Sequence, residues 1–235
     1  MKIGIAGFGQ LGKSEALFWK NENCIIHDPD RGFKNRALIN KECDIGIVCT
    51  EHSTIRYIPD YVEEEIKWLE TPIIIIRSTV LPGTTDELIK KYHKPIIYQP
   101  NHDEKTVVLG GERKICDAAI IYIQHMLSPS VRFYITNAVM AELLDYIKES
   151  FVAVKSTFCN EVYEIAKLMN VDYNELRELW LSNNQVNRDN TFVYPERRSF
   201  SGNKISAIVK KLEEIGYEAK FFKSTIGNNE RFQNI

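Results

Sequence analysis

The residues best suited to chemistry stand at the start of the chain. Gly7-Phe8-Gly9-Gln10-Leu11-Gly12 follows a short alternating run, Ile3 to Ala6, and leads directly into the apolar helical run Ala16-Leu17-Phe18-Trp19. Strand, tight turn and helix in that order make a phosphate cradle. Gly7 makes the turn off the strand, Gly9 lets a pyrophosphate approach the backbone, and Gly12 lets the helix pack on the strand. The helix N-terminus adds donor amides and the positive end of a dipole. Cys24-Ile25-Ile26-His27 reads as a second strand. It delivers Asp28 about 20 residues beyond the first glycine, where a carboxylate binds the ribose hydroxyls of NAD and repels the 2′-phosphate of NADP. The expected chemistry is NAD binding, with Gly7, Phe8, Gly9, Gln10, Leu11, Gly12 and Asp28 as contacts. The alternative is a purely structural βαβ unit in which Asp28 only caps the turn at Pro29. His27 reads as an ordinary, partly buried histidine.

The elements that must position these residues follow in order. Asp44 to Cys49 is a third strand and empties into the polar loop Thr50-Glu51-His52-Ser53; Tyr61 to Leu69 has helical spacing. Pro72 precedes Ile73-Ile74-Ile75-Ile76, a continuous β-branched run of the kind buried on both faces of a central parallel strand. Ser78 and Thr79 end that strand, Pro82-Gly83 turns the chain, and Thr84 or Thr85 is placed to cap the next helix. Strands are further expected at Pro95 to Tyr98, Val107 to Gly111 and Val131 to Ile135, with a helix from Arg113 to Met126. The alternation predicts a Rossmann-type, doubly wound parallel sheet over residues 1–135. In such sheets ligands sit beyond the carboxyl ends of the strands, which puts Thr50 and Thr79 on the cofactor edge.

From residue 136 to residue 235 the period is helical. Leu143, Leu144, Ile147, Phe151, Val154, Phe158, Val162, Ile165 and Leu168 form a stripe too long for a crossover helix. Further helices are expected at Tyr173 to Leu181 and Ser206 to Glu214. An all-helical domain built on one long helix with few local partners implies a homodimer.

Lysine and arginine number 30 against 32 acidic residues, a formal net charge of −2, which gives no footprint for nucleic acid or for an anionic membrane. The five cysteines carry no CxxC or metal-ligand spacing, so neither a metal nor a structural disulfide is expected. No apolar run approaches the ~20 residues of a membrane span, and no cleavable leader precedes the first strand. A soluble, cytoplasmic protein acting on a small molecule is the expectation.

The glycine loop, the turn Ser78-Thr79-Val80-Leu81-Pro82-Gly83-Thr84, Ala141-Glu142-Leu143-Leu144, the segment Phe151 to Glu161 and the closing Leu212 to Arg231 together resemble the nucleotide-sugar 6-dehydrogenases, the UDP-glucose and GDP-mannose dehydrogenase family. The resemblance covers essentially all 235 residues and stops short of the family's third domain. It implies a nucleotide-sugar substrate and oxidation of an alcohol to an acid in two NAD-dependent steps through a cysteine-bound intermediate. It also implies that Thr79 matches the threonine that positions a catalytic water and that Lys204 matches the lysine of the cysteine segment. The cysteine falls on Ser201 and the following aspartate on Ile205. The long-helix lysine and asparagine fall on Asp145 and Glu149, and a loop glutamate falls on Asn101. A serine hydroxyl does not replace a thiol without an activating base, and Asp145 inverts the charge that stabilises an oxyanion.

Two functions are therefore expected in competition. One is an NAD-dependent oxidoreductase limited to a single hydride transfer between alcohol and carbonyl, with Thr79, Lys148, Lys204 and Ser201 as candidate catalytic residues and Thr50 and Thr79 beside the nicotinamide. The other is a catalytically inactive relative that binds NAD or dimerises as a scaffold or regulator. A small hydroxyacid dehydrogenase is disfavoured, because that related group also relies on a lysine in the long helix.

Overall fold

The computed structural model describes residues 2–19, 23–50, 58–100, 105–182 and 203–231. It divides into two compact units, residues 1–145 and residues 146–235.

The first unit is built on a seven-stranded sheet. The strands are β1 (Ile3–Ala6), β2 (Cys24–His27), β3 (Ile45–Val48), β4 (Ile73–Ile76), β5 (Ile96–Tyr98), β6 (Thr106–Gly110) and β7 (Arg132–Thr136), in the spatial order β2-β1-β3-β4-β5-β6-β7. The order reverses between β1 and β3, and that switch point is where an open α/β sheet leaves a crevice for a ligand. Helices α1 (Gln10–Phe18), α2 (Arg36–Glu42), α3 (Ile58–Trp68), α4 (Thr84–Tyr92) and α5 (Arg113–Ile123) cover its faces. Two apolar layers result. One packs Ile3, Ile5, Ile45, Ile47, Ile73 and Ile75 against α1 and α5; the other packs Ile74, Ile76, Val48 and Ala6 against α2, α3 and α4. Because both faces are covered, β1, β3 and β4 are buried at every position, and β4 reads as a continuous isoleucine run.

The first five strands are parallel, as the alternation predicts, but β6 pairs antiparallel to β5 and parallel to β7. The cause is chain length. The connection from Gln99 to Lys105 is shorter than the dozen or so residues that a parallel crossover takes, so the chain must turn back. From β6 to β7 the connection through α5 again has room for a parallel crossover.

Helix α4 differs from expectation at its start. Its N-cap is Gly83, and neither threonine caps it; the Thr84 hydroxyl donates to the Leu81 carbonyl instead. The amides of Gly83 and Thr85, which have no partner within the helix, donate to the two carboxylate oxygens of Glu142, at 2.6 and 2.8 Å. Glu142 is fully buried; burial raises its pKa, and these bonds oppose that rise. A carboxylate satisfies two orphan donors and the helix dipole at once.

Helix α3 is tied to α4 by Glu63, whose carboxylate accepts from Lys91 at 2.8 Å and from the Tyr92 hydroxyl at 2.5 Å. These bonds hold its pKa at about 2, below the ordinary 4.5. A carboxyl whose pKa is depressed on folding adds stability above the unfolded value and loses it as pH falls through the folded value. Glu63→Gln is therefore expected to shrink the loss of stability between about pH 4.5 and pH 2, read as a shallower fall in melting temperature over that window. An unchanged pH dependence would refute the assignment.

The second unit continues from α6 (Ala138–Leu168) and contains α7 (Tyr173–Leu181), α8 (Asn203–Glu214) and α9 (Lys220–Arg231). Ala153, Ile205, Val209 and Ala219 form its small core with Leu212, Phe222 and Ile226. The long stripe on α6 is not that core. Leu143, Ile147, Phe151, Phe158, Ile165 and Leu168 are exposed in the single chain, whereas, Tyr146 apart, the buried positions are small or polar, among them Ala141, Asp145, Ser150, Ala153 and Thr157. All five cysteines are free thiols, and burial pushes Cys24, Cys43 and Cys116 up to about 11. Among the described residues no helix is long and apolar enough to cross a membrane, and no acidic, histidine and cysteine group is arranged to hold a metal.

Candidate functional site

The glycine loop sits where β1 enters α1. Gly7 has φ +91°, and a Cβ there would lie 2.7 Å from the Cys49 carbonyl oxygen. A Cβ on Gly12 would lie 2.1 Å from the Gly7 carbonyl oxygen, so the helix can approach the strand only through a glycine. Gly9 is the N-cap of α1; no side chain caps it, and the first turn holds no acid.

Asp28 ends β2 and stands beside the loop. Its Oδ2 accepts from the Phe8 amide at 2.7 Å and from the Arg31 guanidinium at 2.8 Å, and its Oδ1 accepts from the Arg31 amide at 3.2 Å. Burial alone would raise its pKa; the Phe8 and Arg31 bonds outweigh it and hold the carboxyl below its ordinary value. Asp28 does cap the turn Pro29–Arg31, and it also locks the second residue of the glycine loop. A carboxylate accepts about four hydrogen bonds, so one site on Oδ1 is left for a hydroxyl.

Gly7, Phe8, Gly9, Asp28 and Thr50 line one cleft of about 320 Å³, which α3 closes with Tyr61. Asp28, Asp30, Glu64 and Glu65 face it against Arg31 and Arg36, an excess of carboxylates that disfavours a further phosphate. His27 is buried in the same wall. Burial, then the nearby Arg36, lowers its pKa, and its ring meets Trp68 edge-on.

A line of hydroxyls continues along the carboxyl ends of β3 and β4. The Ser78 hydroxyl donates to the Val48 carbonyl at 3.2 Å, which leaves Thr50 to donate to Ser78 at 3.1 Å. Next to Ser78, the Thr79 hydroxyl donates to the Asp145 carboxylate at 3.0 Å. Asp145 is only 3% exposed. Behind this edge lies a buried ion pair that sequence reasoning missed. The Arg77 guanidinium meets Glu15 of α1 at 2.8 Å and donates to the carbonyls of Gln99 and Pro100, while Trp19 Nε1 donates to Glu15 at 3.1 Å. The available signal was helical spacing: Gly12, Glu15, Ala16 and Trp19 lie on one face of α1, which made Glu15 a buried acid in need of a cation.

The structure thus gathers Gly7, Phe8, Gly9, Asp28 and Thr50 around one cleft, places Gln10, Leu11 and Gly12 in the first turns of α1, and joins Thr79 to Asp145. Lys148 and Lys204 belong to the second unit. Lys148 is exposed on α6, and the Lys204 ammonium is 2.5 Å from the Glu149 carboxylate. Asp145 is buried while Lys148 and Glu149 are exposed, so the three do not share one environment. Ser201 and Asn101 lie outside the described residues.

This sheet and its glycine turn define a Rossmann-type fold. Residues 139–231 match the model of the UDP-glucose/GDP-mannose dehydrogenase family, central domain, and the chain is related to that family. UDP-glucose 6-dehydrogenase of Rickettsia prowazekii is 24% identical over 198 residues, covering 74% of this chain and 45% of that protein. The chain therefore spans about half the length of this curated relative. A UDP-glucose dehydrogenase from Pyrobaculum islandicum superposes with a TM-score of 0.79 at 16% identity, covering 98% of this chain and 68% of the other. A 3-hydroxyisobutyrate dehydrogenase of Mycobacterium tuberculosis gives 0.74 at 11% identity, covering 98% of this chain and 93% of the other. At these identities the structural likeness establishes the fold.

Proposed function

We propose that the protein binds NAD in the cleft between the glycine loop and Asp28 and transfers a single hydride between an alcohol and a carbonyl. The observation that carries the reading is the glycine turn at the start of α1 standing beside a carboxylate that keeps one acceptor site open. The α1 amides hold the pyrophosphate, and Asp28 Oδ1 accepts a ribose hydroxyl. Thr50 and Thr79, on the far side of the sheet's switch point, line the nicotinamide end. When bound, NAD supplies the hydride acceptor. Lys148 or Lys204 is the acid/base candidate, taking the alcohol proton only as the neutral amine or returning one to the carbonyl as the ammonium, and Ser201 is the remaining catalytic candidate. By relationship to dehydrogenases of nucleotide sugars, the substrate is a small molecule of that class, and the free thiols fit the reducing cytoplasm.

The exposed apolar stripe of α6 is the proposed homodimer face, since so long an apolar row on one helix is stable in water only when covered. Light scattering at micromolar concentration should give twice the chain mass; a monomer would contradict it.

A second reading is favoured by Asp145 and Glu149, which stand where the family has its lysine and asparagine: an NAD-binding scaffold or regulator without turnover. Incubation with NAD and a panel of nucleotide sugars and hydroxyacids separates the two. One NADH per substrate consumed, lost in Lys148→Ala, supports single hydride transfer. Two NADH per substrate contradicts it, and binding without turnover favours the scaffold.

A further inference from the structure

We infer that Arg31 competes with the adenosine ribose for Asp28 and thereby sets how tightly the protein holds its dinucleotide. The inference rests on the reading that the ribose binds at Asp28. Phe8, Asp28 and Arg31 line the same cleft, and the Asp28 carboxylate faces it already engaged. Oδ2 accepts from the Phe8 amide at 2.7 Å and from the Arg31 guanidinium at 2.8 Å, while Oδ1 accepts from the Arg31 amide at 3.2 Å. With about two acceptor sites on each oxygen, Oδ2 is full and Oδ1 has one site open.

A ribose offers two hydroxyls on neighbouring carbons, and a carboxylate free on both oxygens takes the pair, one hydroxyl to each. Asp28 as it stands takes one. The second hydroxyl needs a site on Oδ2, and the two partners of Oδ2 are unequal. The Phe8 amide is backbone of the glycine turn, which is packed closely on Cys49 at Gly7, and it leaves only if the turn moves. The Arg31 side chain is 50% exposed and swings into water while its amide, bonded to the Asp28 carbonyl at 3.1 Å, keeps the turn Pro29–Arg31 in place. An exposed ion pair of this kind contributes up to about fivefold in an equilibrium constant, and a hydroxyl bond to a carboxylate outweighs it. The ribose therefore displaces Arg31, and binding is weakened by the factor that the pair contributes. Removing Arg31 has two effects of opposite sign. Loss of a cation from a cleft that also holds Asp30, Glu64 and Glu65 weakens the attraction for a pyrophosphate, an effect that salt screens at a half-exposed position. Release of Oδ2 strengthens the hold on the ribose, so tightening is the signature of competition.

The experiment is calorimetric titration of the full chain with NAD and with the two analogues that lack the 2′- or the 3′-hydroxyl of the adenosine ribose, for the wild type, Arg31→Ala and Arg113→Ala. The last removes a cation from an exposed pair with Asp117 on α5 and controls for net charge. Arg31→Ala is expected to bind NAD roughly three to five times more tightly than the wild type and to lose that gain with at least one of the two analogues. Arg113→Ala is expected to show no gain. Equal or weaker binding of NAD by Arg31→Ala overturns the inference and leaves the dinucleotide reading standing. An equal gain with NAD and both analogues also overturns it, because the effect then bypasses the ribose, as does a matching gain in Arg113→Ala. Failure of the wild type to bind NAD removes the dinucleotide reading and this inference together.

Discussion

Glu15→Ala is expected to destabilise the protein by about 3–5 kcal/mol, because it leaves the Arg77 guanidinium charged and buried without its counter-ion. Both side chains are only 4% exposed, so water does not replace the lost carboxylate. The damage extends beyond the pair. Glu15 also accepts from Trp19, a large fully buried side chain of the first core layer, and Arg77 holds the carbonyls of Gln99 and Pro100 at the turn after β5. For a chain of this length a loss of that size lowers the melting temperature by roughly 10 °C. Replacing both residues, Glu15→Leu with Arg77→Met, should recover much of the loss, since two apolar side chains leave no buried charge behind. A cost below about 1 kcal/mol for Glu15→Ala would mean that the pair is solvated and does not anchor α1 to the sheet.

Gly12→Ala is the second large effect. The added methyl would sit 2.1 Å from the Gly7 carbonyl oxygen, and that oxygen belongs to a turn already committed to φ +91°. Neither partner is the end of a flexible side chain, so α1 must move away from β1. Its N-terminal amides move with it, and a misplacement of about 1 Å is enough to cost on the order of a hundredfold where donors must meet a phosphate. NAD affinity is expected to fall by that factor, alongside an overpacking cost of about 1–3 kcal/mol. Titration of a folded Gly12→Ala variant that binds NAD like the wild type would show that the loop is not the cradle.

The contrast between these two sites explains what the sequence made readable. The β1-turn-α1 unit is local: the glycines, the alternation before them and the helix after them lie within a few residues, so spacing alone reports the turn. The isoleucine run of β4 is legible for a similar reason, since burial on both faces removes the alternation. The Glu15–Arg77 pair joins residues far apart in sequence, and only the face on which Glu15 lies hinted at it. The reversal of β6 was hidden because periodicity has no direction; the short connection after Tyr98 carried that information. On α6 the stripe was correctly located, but periodicity cannot say what covers it, and within the single chain the large apolar residues face outward. Helix α9 has no periodicity of its own to announce it, because Phe221, Phe222 and Ile226 are too few and too unevenly spaced.

The candidate site divides in the same way. Its binding half, from Gly7 to Asp28, is a local motif with a physical reason for each residue. Its reacting half depends on which side chains meet across the fold. There the structure puts Asp145, not a lysine, against Thr79.

The most direct measurement of the central claim is calorimetric titration of the purified protein with NAD and, in parallel, NADP. Saturable binding of NAD, preferred over NADP because Asp28 and the carboxylates around it repel a 2′-phosphate, is the predicted result. No binding of either at millimolar concentration would contradict the account and leave a dehydrogenase fold without its cofactor.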